Sequence, residues 1–598
     1  MGEAALRERV FAARELFRRG RERPRDRIAA MALLREVADR TLGQRPYPVQ
    51  MAGALGILGR CIVEMATGEG KTLTAALAAA ACGWRGKGCH VVTSNDYLAA
   101  RDAESLSAFY DACGLTCASV VEETKSRDRR DAYARDITYL TSKAAAGDFL
   151  RDGLALKDAD SHARLLTRTL AGERPPDIIQ RGLACAIVDE ADSVLCDGGS
   201  TPLLISAPGD NAPRVEQYMT AAAVAEKLRR GSDFLVNEMF REAKLTGRGR
   251  KKALEAFADP RNGAGGTHAR RAWELSVQAV EAREFYRVGR QYIVSDGKVV
   301  IVDEATGRIM PDHEWRDGLH QAVSAKEGLK VEPPKNTNAQ CTFQDFFLRY
   351  PVLGGMTGTA WEARGEFLQF YRLFVARLPT HRPCRRRVAY RAFHATEADK
   401  LRDIVGYTLR RRKEGRSVLV GTRSIEASER IAAALREAGF EGFEVLNAVH
   451  HKREAEIVAR AGRAYEVTVA TNMAGRGTDI KLDDSVREKG GLTVILTERH
   501  DSSRVDRQLH GRCARQGDPG EVAEIISLRD ALFAALPFGV RPMIRLLLAL
   551  GSPGRWLAWK AADWCQWRGD RRAFRMRRQL VKGQQQFSDL ISYSGARD

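Results

Sequence analysis

The sequence predicts an α/β protein. Two parallel-sheet lobes follow one another along the chain, with a further domain inserted into the first and a short helical tail at the end. Three observations carry this. Short apolar runs recur between helical segments in two blocks, separated by a polar, basic interval. The stretch Glu64-Met65-Ala66-Thr67-Gly68-Glu69-Gly70-Lys71-Thr72 joins one such run to a helix start. At 598 residues, the chain also exceeds the roughly 250–300 residues at which a single core stops growing.

That stretch is the first to carry chemistry. Cys61-Ile62-Val63 reads as a buried parallel strand, and Thr72-Leu73-Thr74-Ala75-Ala76-Leu77 opens a helix. Gly68 and Gly70 let the backbone curl so that successive N–H groups point into one concavity at a helix N-terminus, where partial positive charge favours phosphate. Lys71 would reach the outer phosphates and the Thr72 hydroxyl would bind Mg²⁺. The strict pattern wants glycine where this chain has Met65. The M-x-T-G-x-G-K-T form instead resembles the P-loop of superfamily 2 helicase-type motors. That resemblance implies RecA-like lobes, with Gly68, Glu69, Gly70, Lys71 and Thr72 as the ATP-binding set.

Composition narrows the class. The chain is 44% hydrophobic and 29% charged, as a globular protein is. Arg7, Arg9, Arg14, Arg18 and Arg19 interrupt the first segment, and no apolar run is long enough to span a membrane, so a cytosolic protein is expected. Eleven cysteines are scattered without a C-x-x-C pair, which predicts reduced, mostly buried thiols and no zinc site. The net charge of +19 points to an anionic partner, either nucleic acid or an acidic membrane surface.

Residues 1–45 read as helices with a basic face. Gln50 follows Tyr47-Pro48-Val49, and in helicase-type motors an upstream Gln reads adenine, its amide both donating and accepting. His90-Val91-Val92-Thr93 and Ile137-Thr138-Tyr139-Leu140 read as further strands. Ala184-Cys185-Ala186-Ile187-Val188-Asp189-Glu190-Ala191-Asp192 is an apolar strand that delivers adjacent carboxylates. Asp189 would hold Mg²⁺ and Glu190 would polarise the attacking water. From about residue 208 the α/β rhythm stops, and it resumes near Thr342-Phe343-Gln344.

A second block follows, with strands expected at Val418–Thr422, Phe443–Leu446, Val467–Ala470 and Leu492–Leu496. The polar loop 471–480 ends at Asp479-Ile480, placing Asp479 to contact nucleotide or to couple the lobes. Arg512 and Arg515, three apart, are expected on one helix face, with Arg515 as the arginine finger and Arg512 as its partner. The expected division is 1–207 for the first lobe with its helical N-terminus, 208–338 for the insertion and 339–375 for the return. The second lobe is 376–535 and the tail 536–598.

Four stretches set this chain apart from other helicase-like motors. They are Ile187–Leu195, Val302–Arg308, Gly318–Ala322 with Ala325–Gly328, and the 471–480 loop. With the P-loop they resemble SecA, the ATPase motor of bacterial protein export, from about residue 45 to about residue 530. The resemblance implies that 208–338 clamps an unfolded preprotein. It also implies that ATP-driven lobe closure pushes that chain through the SecYEG channel, at the cytoplasmic face of the cell membrane. A homodimer is among the assemblies left open. Departures are Asp197-Gly198-Gly199-Ser200-Thr201 where the family has D-E-A-R-T, Pro311–Glu314 before Trp315, His510 in place of an arginine, and Cys513-Ala514 in place of Ser-Gly. The D-E-A-D string is shared with RNA helicases, which keeps RNA as an alternative partner. The tail leaves room for only a partial scaffold helix, without a two-helix finger or zinc tail, so a non-transporting adaptor is the other alternative. Trp556, Trp559, Trp564 and Trp567 fall on one broad helix face among basic residues, suited to core packing or to an anionic surface.

Overall fold

The computed structural model describes Gly2 to Tyr593, apart from 158–177, 199–202, 208–212, 238–240, 259–267, 290, 296, 303–308, 311–313, 316–317, 333–335, 447–456, 459, 472–478, 534–535 and 537–538. The resemblance motif at 303–308 and most of the 471–480 loop lie outside the described residues.

The first lobe is a seven-stranded, all-parallel sheet. Its strands run in the order Phe374–Arg377, Cys61–Glu64, Val352–Thr357, Cys185–Asp189, Cys89–Thr93, Ile137–Thr141 and Cys117–Val120. Central strands buried on both faces read as unbroken apolar runs, and that is why Cys185–Asp189 is so legible. Val352–Thr357 lies between the P-loop strand and the carboxylate strand, pairing Thr357 with Glu64 and Met356 with Asp189. Helices Pro24–Leu42 and Pro48–Leu58 both start on proline, whose missing N–H costs nothing at that position. They pack on one face of the sheet with the helix Lys71–Gly83. At the far end of that helix the thiols of Cys82, Cys89 and Cys185 lie together and buried, with 3.7 Å between the Cys89 and Cys185 sulfurs.

The chain leaves the lobe through Leu203–Ala207 and returns through Asn336–Cys341. These two strands pair antiparallel, with Ala207 opposite Asn336. Between them stand the helices Pro213–Lys227, Gly247–Ala258 and Ala269–Phe285 around Leu275, Val280 and Phe234, and a small antiparallel sheet closed by Leu319–Lys326.

The second lobe is a six-stranded parallel sheet. Its order is Arg385–His394, Pro519–Ser527, Leu492–Leu496, Val418–Thr422, Val467–Thr471 and Glu444–Leu446. The tail is a helix Val540–Ala549 followed by a long helix Gly551–Tyr593. The long helix first touches the second lobe: Asp563 accepts from Arg499 at 2.6 Å, and Gln566 donates to Asp506 at 2.6 Å. It then reaches the first lobe, where buried Arg577 grips Glu366 through two hydrogen bonds of 2.9 and 2.6 Å. The four tail tryptophans do not share one environment. Trp559 packs edge-on against Phe393 under the guanidinium of Arg499, whereas Trp556, Trp564 and Trp567 are exposed.

Candidate nucleotide site between the lobes

The P-loop is built as its glycines require. Gly68 and Gly70 both take left-handed backbone, at φ +86° and +79°, and Gly70 caps the helix that starts at Lys71. Lys71 and Thr72 therefore sit in the first turn of that helix. Glu69 turns away from the cavity: its carboxylate accepts from the backbone N–H of His381 at 2.9 Å. Gln50 is buried, and both ends of its amide are engaged within the protein. Its Nε2 donates to the Glu69 carbonyl at 2.9 Å, and its Oε1 accepts from the Tyr47 N–H at 2.8 Å. Gln50 thus braces the P-loop from behind.

Glu190 follows the carboxylate strand in left-handed backbone at φ +48°, a conformation that costs a non-glycine residue about 1–2 kcal/mol. A single π-helical turn, Asp192–Asp197, comes next. This bend aims the Glu190 carboxylate at Lys71, with Nζ to Oε1 at 2.6 Å, and at the Thr357 hydroxyl at 3.3 Å. Asp189 faces the same cleft. Burial and the neighbouring Glu190 charge raise its carboxyl to about 7, with Lys71 opposing. The two adjacent carboxylates, with the Thr72 hydroxyl on the helix that carries Lys71, offer an oxygen-only donor set that suits a hard divalent cation.

That shift sets a pH dependence. The folded state keeps a proton on Asp189 that the unfolded chain has released, so stability from this group falls as pH rises from about 4 to about 7 and is then flat. Bound Mg²⁺ and nucleotide would supply the missing charge. Their thermal shift should therefore be larger at pH 8 than at pH 6, and Asp189→Asn should erase the difference. Equal shifts in the wild-type protein would refute this.

The second lobe presses directly on the P-loop. The Thr67 hydroxyl donates to the Gly511 carbonyl at 2.5 Å, and Gln516 Nε2 donates to the Gly68 carbonyl at 3.2 Å. The arginines are not on a helix as the spacing predicts, because the helix ends at His510. Arg512 and Arg515 lie in the turn beyond it, with Ala514 and Gln516 in left-handed backbone. Gly511, at the end of that helix, lies against the P-loop, and a side chain there would fall 2.4 Å from Thr67 Oγ1. Arg515 lays its methylenes on Gly68, donates to the Gly511 carbonyl at 3.1 Å and pairs with Asp479. Arg512 lines a small cavity inside the second lobe with Leu446, Val458 and Leu509. His510, where the family has arginine, is partly buried, and loss of solvent holds it below the ordinary imidazole range.

A methyl on Gly68 would fall 2.8 Å from Arg515 Cβ, on backbone that already disfavours a side chain. Gly68→Ala should lower turnover at least about tenfold, by pushing the arginine turn off the P-loop, while changing nucleotide affinity less. Turnover against nucleotide titration would separate the two.

Residues outside the predicted set tie the lobes together. Asp192 is fully buried and accepts from Thr357 Oγ1 at 2.6 Å, Thr359 Oγ1 at 2.7 Å, Gln508 Nε2 at 2.9 Å and Arg504 Nη1 at 3.3 Å. Arg504 also holds Asp197 at 2.7 Å. Their only signal in the sequence is membership of polar strings next to strands.

Residues 1–368 match the family model of the SecA DEAD-like domain, and residues 383–487 and 481–551 match that of the SecA P-loop domain. Protein translocase subunit SecA 2 of Chlorobium chlorochromatii is 40% identical over 599 residues, covering 99% of this chain and 90% of that protein. SecA 2 of Bordetella avium is 42% identical over 586 residues, covering 95% and 86%. Protein translocase subunit SecA of Caldicellulosiruptor saccharolyticus is 40% identical over 615 residues, covering 99% and 69%. Two parallel lobes that close a P-loop, a carboxylate pair and an arginine turn into one cleft, matched along nearly the whole chain, place this protein in the SecA family of ATP-hydrolysing protein translocases.

Proposed function

We propose that this chain couples ATP hydrolysis to the movement of unfolded preproteins through a SecYEG-type channel, working as a peripheral protein at the cytoplasmic face of the cell membrane. In this reading, residues 1–207 and 339–375 form the first lobe, 208–338 hold the preprotein, 376–535 form the second lobe and 536–598 the scaffold-like tail. The observation that carries it is the joining of the P-loop and the Asp192 turn to one short segment of the second lobe, Arg504 to Gln516. The insertion hangs from Leu203–Ala207, a few residues beyond that turn. A change at the phosphates is thereby transmitted both to the other lobe and to the root of the insertion.

Gly68, Gly70, Lys71 and Thr72 hold the phosphates, and Thr72 and Asp189 hold Mg²⁺, which neutralises charge on the phosphates when bound. Glu190 orients the attacking water. The 2.6 Å pair with Lys71 occupies Glu190 until phosphate draws the ammonium away, which ties activation of the base to substrate arrival. Arg515 supplies positive charge from the second lobe, steered by Asp479, while Arg512 supports the turn that carries it.

The test is steady-state ATPase activity, with Glu190→Gln as the blank. It is run alone, with single-stranded RNA, and with SecYEG vesicles plus an unfolded preprotein. Stimulation only by vesicles and preprotein is the expected result. Stimulation by RNA alone would instead favour the helicase reading, and no stimulation by either the adaptor.

A further inference from the structure

Among the described residues, the tail carries a surface that the nucleotide cycle does not use. Trp556, Trp564 and Trp567 are 61%, 43% and 48% exposed, and on the long helix they fall within an arc of about 80°. Ala558, Ala562 and Cys565 are buried on its other side. Each exposed indole is capped by the cation four residues on: Lys560 Nζ is 5.7 Å from the Trp556 ring, Arg568 Cζ 4.7 Å from Trp564 and Arg571 Cζ 4.0 Å from Trp567. The preceding helix exposes Met543 and Leu546, and its C-cap Leu550 is exposed one turn on. It packs against the long helix so tightly that a side chain at Gly554 would strike the Leu547 carbonyl at 1.9 Å.

Charge along this hairpin is one-sided. Residues 540–582 hold eleven basic side chains and two acidic ones, Asp563 and Asp570. Asp563 is taken by Arg499 and lies 4.0 Å from Lys560, and Asp570 lies against Ser503. Of the basic groups, Arg541 and Arg577 bond inward and the other nine are exposed. No described helix is long and apolar enough to cross a membrane.

We infer that this tail hairpin is a membrane-docking face that takes an anionic phospholipid surface, with Trp556, Trp564 and Trp567 in the headgroup layer and Lys560, Arg568 and Arg571 on the lipid phosphates. Indoles are stable at that depth because one edge is polar and the ring is not, and the cations over them already stand where headgroup phosphates would lie. A protein groove would leave these cations without a counterion. A nucleic acid would need the indoles free to stack, and here each is covered by a cation. The inference rests on the peripheral placement proposed above and gives it an address. With Trp559 and Arg577 of the same helix fixed to the two lobes, docking would hold both lobes at a set distance from the bilayer.

The test floats the full chain with vesicles of phosphatidylcholine, alone or mixed with phosphatidylglycerol, without channel, preprotein or ATP. Failure of the transport reading therefore leaves this assay untouched. The wild-type protein should float only with the anionic vesicles and be released by salt, and brominated acyl chains should quench its tryptophan fluorescence. The triple variant Trp556→Ala, Trp564→Ala, Trp567→Ala should lose at least about tenfold in vesicle affinity, with basal ATPase and helix content unchanged. Lys560→Glu, Arg568→Glu, Arg571→Glu should do the same by charge alone. Equal flotation on neutral vesicles would overturn the inference, as would a triple variant that floats like wild type or a wild type that shows no quenching. Capture by single-stranded RNA without flotation would overturn it in favour of a nucleic-acid face.

Discussion

Glu190→Gln should reduce ATP turnover by about three orders of magnitude while leaving nucleotide binding within a few-fold of wild type. Glutamine keeps the length and can accept the Thr357 hydrogen bond, so the bend at φ +48° need not relax. It loses the negative charge that aligns and polarises water, and with it the partner of Lys71 at 2.6 Å. A Lys71 no longer held by a carboxylate binds phosphate at least as well, so affinity should hold or rise. Single-turnover hydrolysis and equilibrium nucleotide titration check the two halves separately. A variant that hydrolyses within tenfold of wild type would remove Glu190 from the role of base, and one that fails to bind would show that the glutamate is structural.

Asp192→Ala should be the most destabilising single change near the cleft, by about 3–5 kcal/mol, because it strands a buried guanidinium and three further donors. Two of the donors, Thr357 and Thr359, belong to the first lobe and two, Arg504 and Gln508, to the second. Arg504 retains Asp197 at 2.7 Å, which sets the effect nearer the lower end. The expected signature is more than a lower midpoint: urea unfolding should separate into two transitions as the lobes lose their common anchor. Asp192→Asn, which keeps one acceptor oxygen, should fall between. A single transition at the wild-type midpoint would refute the interlobe role.

The fold was most legible where strands are buried and apolar, as in Val418–Thr422 and in Cys185–Asp189 up to its last residue. It was least legible where other physics fills the same place. Pro519–Ser527 is a buried nine-residue strand that shows no unbroken apolar run because it carries Glu521 and Glu524. Both are admitted to the core by arginines, Arg416 at 2.9 Å on the first and Arg391 at 3.1 Å on the second. Arg385–His394 is an edge strand with six of its ten residues exposed, so it shows no apolar run. Val352–Thr357 spends two positions on glycines because its neighbours come too close for side chains: the Ile57 carbonyl would lie 2.6 Å from one added at Gly354. At the site, local chemistry at Lys71 and Glu190 was readable from spacing. The turn at Arg512 and Arg515 and the second role of Gln50 depend on contacts between distant segments, which spacing does not encode.

The pairing of Ala207 with Asn336 makes the insertion a cassette. Its two ends stand about 5 Å apart, the spacing of adjacent strands, and among the described residues no strand of the first lobe's main sheet lies between them in sequence. A two-residue hairpin turn could bridge that gap, and a domain of any length could occupy it, without changing the register of a single strand around the P-loop. The inserted domain can therefore be exchanged at this seam while the sheet that carries the P-loop is left alone. Divergence of what lies between Ala207 and Asn336 leaves the nucleotide cleft untouched.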